Sequence, residues 1–384
     1  MKTFIRLAES TETLRMLSSR IVQLRHLKHL PWSVKQSNTS MPPLWTGQLA
    51  FFASHGRNLS QIGTTANIQK AHNDESDVFP LTKEEAVMYL EKVLDIPNPL
   101  SQIQNQGKFN FLCEVQRRTK MVQPFTVLTY ITPEYQGRSP SQQQVKDMMF
   151  KKQGGGCPQI NTFTKAVLQR MGYEAYNVGG TLNKDRTPVY QSHVGLIVQN
   201  VTEKGSLHLV EPGSRLPIFE PVPLNFARMS QVYQIIGHGI RFFRECPGIV
   251  RLCIPIREET GDPNIDANVY NVDGVMWKTF ITYDIIKESK WEYCYLICDM
   301  LARNVCLIPE GHKDLFVCGF SRGLWTIIKG KIYIQYDSNG KDTIKTFRTN
   351  EEVIENTNWC FPQYSKDILQ RYIEYTKRVA DLLD

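Results

Sequence analysis

No apolar run in the 384-residue chain approaches the ~20 residues that a membrane-crossing helix requires. The N-terminus lacks the short apolar core of a secretory signal. There is no dense stripe of Lys and Arg interleaved with aromatics, so nucleic acid is not expected as a partner. A disulfide framework is excluded because the nine cysteines are odd in number and irregularly spaced. Cys294 and Cys298 stand four apart, but no second pair completes a zinc site, and no metal is expected. Unpaired thiols place the chain in a reducing, cytoplasmic compartment. No internal repeat is visible.

The composition is that of an ordinary globular chain, 41% hydrophobic and 22% charged, long enough for roughly two or three domains. The net charge of +7 suits an anionic small molecule such as a phosphorylated cofactor. Residues 1–35 carry Lys2, Arg6, Arg15, Arg20, Arg25, Lys28 and Lys35 against only Glu9 and Glu12. Phe4, Leu7, Leu14 and Leu17 fit one helical face, a pattern similar to a mitochondrial presequence and the alternative to a cytoplasmic location. Residues 36–80 are rich in Ser, Asn, Gln, Thr and Gly without periodicity, so 1–80 reads as a basic extension and linker, disordered or targeting.

Order is expected from "LTKEEAVMYLEKVL", where Thr82 and Glu85 form a capping box and Val87, Leu90 and Leu94 recur at helical spacing. A loop-rich helical stretch containing "QPFTVL" follows to about residue 138. In "SPSQQQVKDMMFKKQGG", Ser139 is the expected cap, Pro140 the first helical residue and Gly154 the stop. In "CPQINTFTKAVLQRMG", Cys157 takes the cap position, Pro158 the first turn and Gly172 the end, with Ile160, Phe163, Val167 and Met171 along one side. The period then changes to two: "EAYNVGG", "HVGLIVQN" and "SLHLVEPG" read as strands, the last two as a hairpin. Further strand-like pieces recur between about 230 and 345, and "SKDILQRYIEYTKRVADLL" closes the chain as a helix with Ile368, Tyr372, Ile373 and Val379 inward.

Three glycines lead directly into Cys157 at a helix start. The unpaired amides and dipole of a helix N-terminus stabilise a thiolate, and a nearby histidine does so more strongly. Pro158 has no N–H, so an oxyanion there depends on the Cys157 amide or on a donor from elsewhere. His193, at the start of a strand, is the candidate base, and Glu211, at the end of the next, the group that orients it. Singly, a glycine-rich turn, a histidine at a strand start and a glutamate before Pro-Gly are ordinary structural features. In this order on these elements they read as catalytic. His208 competes as base but falls on the opposite strand face from Glu211. The remaining cysteines lack the glycine run and helix start and are expected in the core.

These residues resemble the arylamine N-acetyltransferases, whose signature is Arg-Gly-Gly-x-Cys followed by a helix carrying Asn. It is met here by Gln153-Gly154-Gly155-Gly156-Cys157 and Asn161. "SHVGLIV" is similar to the family's histidine strand, "HLVEPGSRLPIFEPVPL" to its acid strand, and "EEAVMYLEKV" and "QPFTVL" to its opening helix and Pro-Phe loop. The resemblance is best over residues 82–225. It implies an α+β, cysteine-protease-like acetyltransferase fold in three parts. These are an N-terminal helical bundle (81–172), a middle β-barrel-like domain (173–290) and a C-terminal α/β lid (291–384). It implies a ping-pong reaction in which the Cys157 thiolate takes acetyl from acetyl-CoA and passes it to an arylamine, arylhydrazine or related amine. His193 and Glu211 would complete the triad, Phe125, Gly155, Gly156 and Ser214 would contact substrate, and the chain would act as a monomer. Three positions depart from the family: Glu211 for Asp, Gln153 for Arg, and Ser214 where an aromatic follows the acid. A thiol hydrolase of papain or transglutaminase type, or a silent member acting as a binding protein, are the alternatives.

Overall fold

Thr82 and Glu85 form the expected box, each side chain bonded to the other's backbone N–H at 3.1 and 2.9 Å. They start α1 (Lys83–Met88), which continues as a π-helical turn over Tyr89–Val93. The computed structural model describes residues 79–128, 139–184, 187–256, 269–295, 314–337 and 340–383. All belong to one unit, Asp77–Asp384. The presequence-like residues, Cys298 and Cys306 lie outside the described residues.

The stretch expected to be helical but loop-rich holds one long helix, α2 (Pro99–Val122), with a break at Gly107. Its buried face is Phe111, Leu112, Val115, Gln116, Thr119 and Lys120. Half of that face is polar, so a search for apolar periodicity misses it. The cap of α3 (Gln142–Phe150) is also shifted: Ser141, not Ser139, closes the box with Gln144. The Ser139 hydroxyl is spent on the Tyr295 carbonyl, 3.2 Å away. In α4 (Cys157–Arg170) Gly156 is the N-cap, so Cys157 is the first helical residue and Pro158 the second. Gly172, at φ +84°, ends the helix as expected. The twelve residues from Cys157 to Leu168 are all buried, not one side alone. α4 runs through the middle of the helical core, against Tyr89, Phe150 and Phe79, whose rings meet Phe163 edge-on at 4.8, 6.3 and 5.7 Å.

After Gly172 the chain enters an antiparallel nine-stranded sheet. Its strands are β2 (Glu174–Lys184), β3 (Thr187–Gln199), β4 (Leu207–Val210), β5 (Val222–Pro223), β6 (Tyr233–Ile235), β7 (His238–Cys246), β8 (Ile249–Pro255), β9 (Val269–Val272) and β10 (Val275–Glu288). They run in the order β5-β4-β3-β2-β10-β8-β7-β6, with β9 on β10. One face buries Val178, Ile197, Leu209, Phe242, Leu252, Ile281 and Tyr283 in a core of its own. Strand β3 begins at Thr187, six residues before the expected start, so His193 sits mid-strand.

A second sheet has the order β1-β11-β12-β13-β14. It comprises β1 (Phe125–Thr126), β11 (Phe316–Ser321), β12 (Leu324–Lys329), β13 (Ile332–Tyr336) and β14 (Asp342–Thr346). α5 (Asn350–Cys360) and α6 (Lys366–Leu383) follow it in sequence. Leu369 and Tyr372 of α6 are fully buried, whereas Ile368 and Ile373 are only partly so. The sheet's first strand comes from "QPFTVL", immediately after α2. The lid-like region is therefore not made from the C-terminal residues alone.

Candidate active site

The glycine turn is fixed from both sides. Gln123, at the end of α2, accepts from the Gly154 N–H at 3.0 Å and donates to the Met149 carbonyl at 2.7 Å. Gly154 has φ +62°, and a Cβ there would meet the Pro124 carbonyl oxygen at 1.9 Å, so no other residue fits. Gly155 pairs in parallel with Phe125, through Thr126 N–H to Gly155 O at 3.0 Å and Gly155 N–H to Pro124 O at 3.2 Å. The Gln159 side chain reaches back to the Gly156 N–H at 2.9 Å. These bonds set the direction in which Cys157 enters α4.

The sheet supplies the other two groups. In the β3–β4 ladder Leu196 pairs with Val210. Glu211, the next residue, therefore stands across from Gly195, on the same face as His193 two residues away. The carboxylate extends over Gly195, where a Cβ would lie 2.9 Å from Oε1. Its Oε2 meets His193 Nε2 at 3.0 Å. Nε2 is thus spent on the carboxylate, and Cys157 acts electrostatically on the same imidazole. Cys157, His193 and Glu211 are 5, 4 and 1% exposed. Burial alone would push the imidazole pKa down. The Glu211 charge and Cys157 together outweigh it and hold His193 well above its ordinary value, in the charged form.

Two further residues hold this line in place. Asn161, one turn after Cys157 on α4, donates to the Val194 carbonyl at 2.6 Å and accepts from the Gly213 N–H at 2.7 Å. One side chain thereby ties the helix of Cys157 to the strand of His193 and to the turn after Glu211. The Tyr283 ring packs edge-on to His193, with centroids 5.8 Å apart. Its hydroxyl lies beside Glu211, and burial together with that charge holds its pKa far above normal. Among the described residues, no group of three or more His, Cys, Asp or Glu is placed to hold a metal ion. No described helix is long and apolar enough to cross a membrane.

Residues 110–245 match the family model of the N-acetyltransferases. The matched stretch makes up 136 of the chain's 384 residues and is similar to that family. Solved structures with the same fold include the arylamine N-acetyltransferase of Mycobacterium abscessus, at TM-score 0.58 and 15% identity over 76% of this chain and 94% of that one. The Mycobacterium marinum arylamine N-acetyltransferase, solved in complex with CoA, matches at TM-score 0.57 and 14% identity over 75% and 99%. Arylamine N-acetyltransferase C of Bacillus anthracis matches at 0.56 and 16% over 73% and 98%. No curated protein matches the chain.

The other residues singled out from sequence fall in two places. Phe125, Gly155 and Gly156 lie together at the turn leading into Cys157, and the Phe125 ring packs edge-on to Phe316 at 6.0 Å. Ser214 is 2% exposed and closes the acid turn: its N–H bonds to the Glu211 carbonyl at 3.3 Å and its hydroxyl accepts from the Leu216 N–H at 3.1 Å. Gln153 contributes its carbonyl to the Tyr364 hydroxyl at 2.7 Å. His208 packs against Phe109, and burial alone lowers its pKa. The other thiols divide: Cys253, Cys294, Cys318 and Cys360 are buried and Cys113 half-buried. Cys246, expected in the core, is exposed at the end of β7. Sequence reasoning placed Asn161 in the signature without a role, though its spacing of four from Cys157 marks the same helix face. Lys120 and Tyr283 carried no signal, one lying in a run of basic residues and the other in an ordinary alternating strand.

Proposed function

We propose that the chain transfers acetyl from acetyl-CoA to an arylamine, arylhydrazine or related amine through a thioester on Cys157. The observation that carries this reading is the buried Cys157–His193–Glu211 line at the start of α4, within an N-acetyltransferase fold. The thiolate attacks the acetyl carbonyl carbon, the bond to the CoA sulfur breaks, and the His193 imidazolium gives its proton to the departing CoA thiolate. The acetyl group is then a thioester and His193 is neutral. The acceptor amine attacks next, its proton passes to His193, and the C–S bond to Cys157 breaks, which restores the thiolate–imidazolium pair. Glu211 orients the imidazole throughout and stabilises its charged form. The Cys157 amide, a first-turn N–H without an intrahelical acceptor, faces the developing oxyanion, to which Pro158 can donate nothing. Phe125, Gly155 and Gly156, next to the nucleophile, and Ser214, on the acid turn, are assigned to the surroundings of bound substrate. The CoA complex of the Mycobacterium marinum relative supports CoA as the acyl carrier.

Intact mass after mixing with acetyl-CoA tests the reading. One acetyl adduct is expected on the wild type and none on Cys157→Ala. No adduct from any of a series of acyl-CoAs would leave a silent binding protein as the better account.

A further inference from the structure

Lys120 has no part in the steps above, yet it is only 2% exposed. Lysine is rarely buried so completely unless paired. It projects from α2, its ammonium donates a short hydrogen bond to the Ser214 carbonyl, and it lies 5.8 Å from the centre of the Trp325 ring on β12. The charged and titratable groups facing it are Glu211, on the acid turn, and Cys318, on β11. Arg215, the next residue along the acid turn, faces Cys318 as well. Burial pushes the Lys120 pKa down to about 8, against the pull of Cys318 and Glu211. An apolar residue would fill this site at lower cost, so the retained charge calls for a reason.

The charge balance of the reaction supplies one. In the resting state Glu211 faces the His193 imidazolium. Once that proton has left with CoA, the imidazole is neutral, and Glu211 is a carboxylate 1% exposed. A buried carboxylate that loses its counter-charge is destabilised in place, and a second cation nearby offsets that loss. The acid turn is also anchored twice, by Asn161 at Gly213 and by Lys120 at Ser214.

We propose that Lys120 is a positioning residue of the catalytic acid: through Ser214 it fixes the turn that carries Glu211, and its charge offsets that buried carboxylate in the acyl-enzyme while His193 is neutral. This rests on the Cys157 thioester reading.

Hydrolysis of the acetyl-enzyme tests it without an identified acceptor, because water then takes the place of the amine. The full chain is loaded with acetyl-CoA and desalted, and loss of the acetyl group is followed by intact mass across pH, corrected for the hydrolysis of a small thioester. In the wild type the corrected rate falls as pH rises past about 8, as Lys120 loses its charge. Lys120→Met slows hydrolysis at neutral pH by about tenfold, as expected for displacing the group that orients a general base, and lacks the alkaline fall. Lys120→Arg, charged throughout, recovers the rate and holds it beyond the wild-type fall. A Lys120→Met rate and pH profile unchanged from wild type overturn the inference. So does a flat wild-type profile through the alkaline range, which needs no variant to fold. Failure of the wild type to acquire acetyl on Cys157 removes the thioester reading itself, and the inference with it.

Discussion

Among the described buried cysteines, Cys157 and Cys318 each stand beside a cation, in different settings. Cys157 lies next to His193 and Cys318 next to Lys120. Cys318 is pushed up to about 12 by burial in spite of Lys120 and Arg215. It lies in mid-strand, with no helix start to favour a thiolate, and its sulfur faces the Arg215 carbonyl at 3.8 Å, an acceptor that needs the thiol proton in place. Cys157 sits at the first turn of α4, against an imidazole held by a carboxylate. A nearby positive charge does not make a thiol reactive. The helix N-terminus and a partner that can take the proton are what separate the two sites.

The sharpest way to break this comparison is alkylation. In a Cys246→Ser background, which removes the one exposed thiol among the described residues, iodoacetamide is expected to modify Cys157 on the order of a hundred times faster than Cys318 at neutral pH, because a helix start and an adjacent imidazole favour the thiolate. Peptide mass mapping over time measures both. Equal rates would mean that the surroundings of Cys157 do nothing for its reactivity.

A smaller effect is expected from Gly195→Ala. The new methyl would sit 2.9 Å from Glu211 Oε1 and push the carboxylate off His193. Acetyl transfer should fall about ten- to a hundredfold, within the range for disturbing a general base. Glu211→Asp, one methylene shorter, should recover part of that loss in the Gly195→Ala background while lowering activity in the wild type. The crossing of these two responses in single-turnover assays is the measurement. Simple additivity would show that Gly195 does not make room for the longer acid.

The smallest effect concerns stability. His193 is held above its ordinary value of 6.5 by Glu211 and Cys157. The folded state therefore binds a proton that the unfolded chain has released. The resulting stability is fully present below about pH 6.5 and is lost as pH rises through the folded value. Denaturation midpoints of wild type and Glu211→Gln should differ most at neutral pH and converge in strong alkali. A gap that widens with pH would reverse the assigned sign.

The cluster of Cys157, His193 and Glu211 was legible because its three residues sit beside strong local signals: a glycine run, a change from helical to strand period, and a Pro-Gly turn. The register that joins His193 to Glu211 follows from the short β3–β4 connection. Three features were not legible, each for a physical reason. The long helix α2 buries Gln116, Thr119 and Lys120 along with its apolar residues, and what satisfies them, such as the Ile218 and Ser214 carbonyls, lies about a hundred residues away in sequence. The α3 cap was misplaced because two Ser-x-x-Gln windows overlap, and the choice between them depends on Tyr295 far downstream. Cys157 was placed one residue early because the cap is Gly156, which has no side chain to announce it. Long-range partners decide all of these except the last, and local pattern contains none of them.

Strand β1 has a mechanical consequence. The turn that presents Cys157 is bonded to β1 through Gly155, β1 is laddered to β11 at Phe125 and Cys318, and the Tyr364 hydroxyl grips the Gln153 carbonyl of the same turn. The C-terminal sheet is therefore stitched to the chain just ahead of the thiol. It cannot swing away as a flap without dragging the nucleophile with it. Any hinge motion of that sheet is thereby coupled to the position of the thiol.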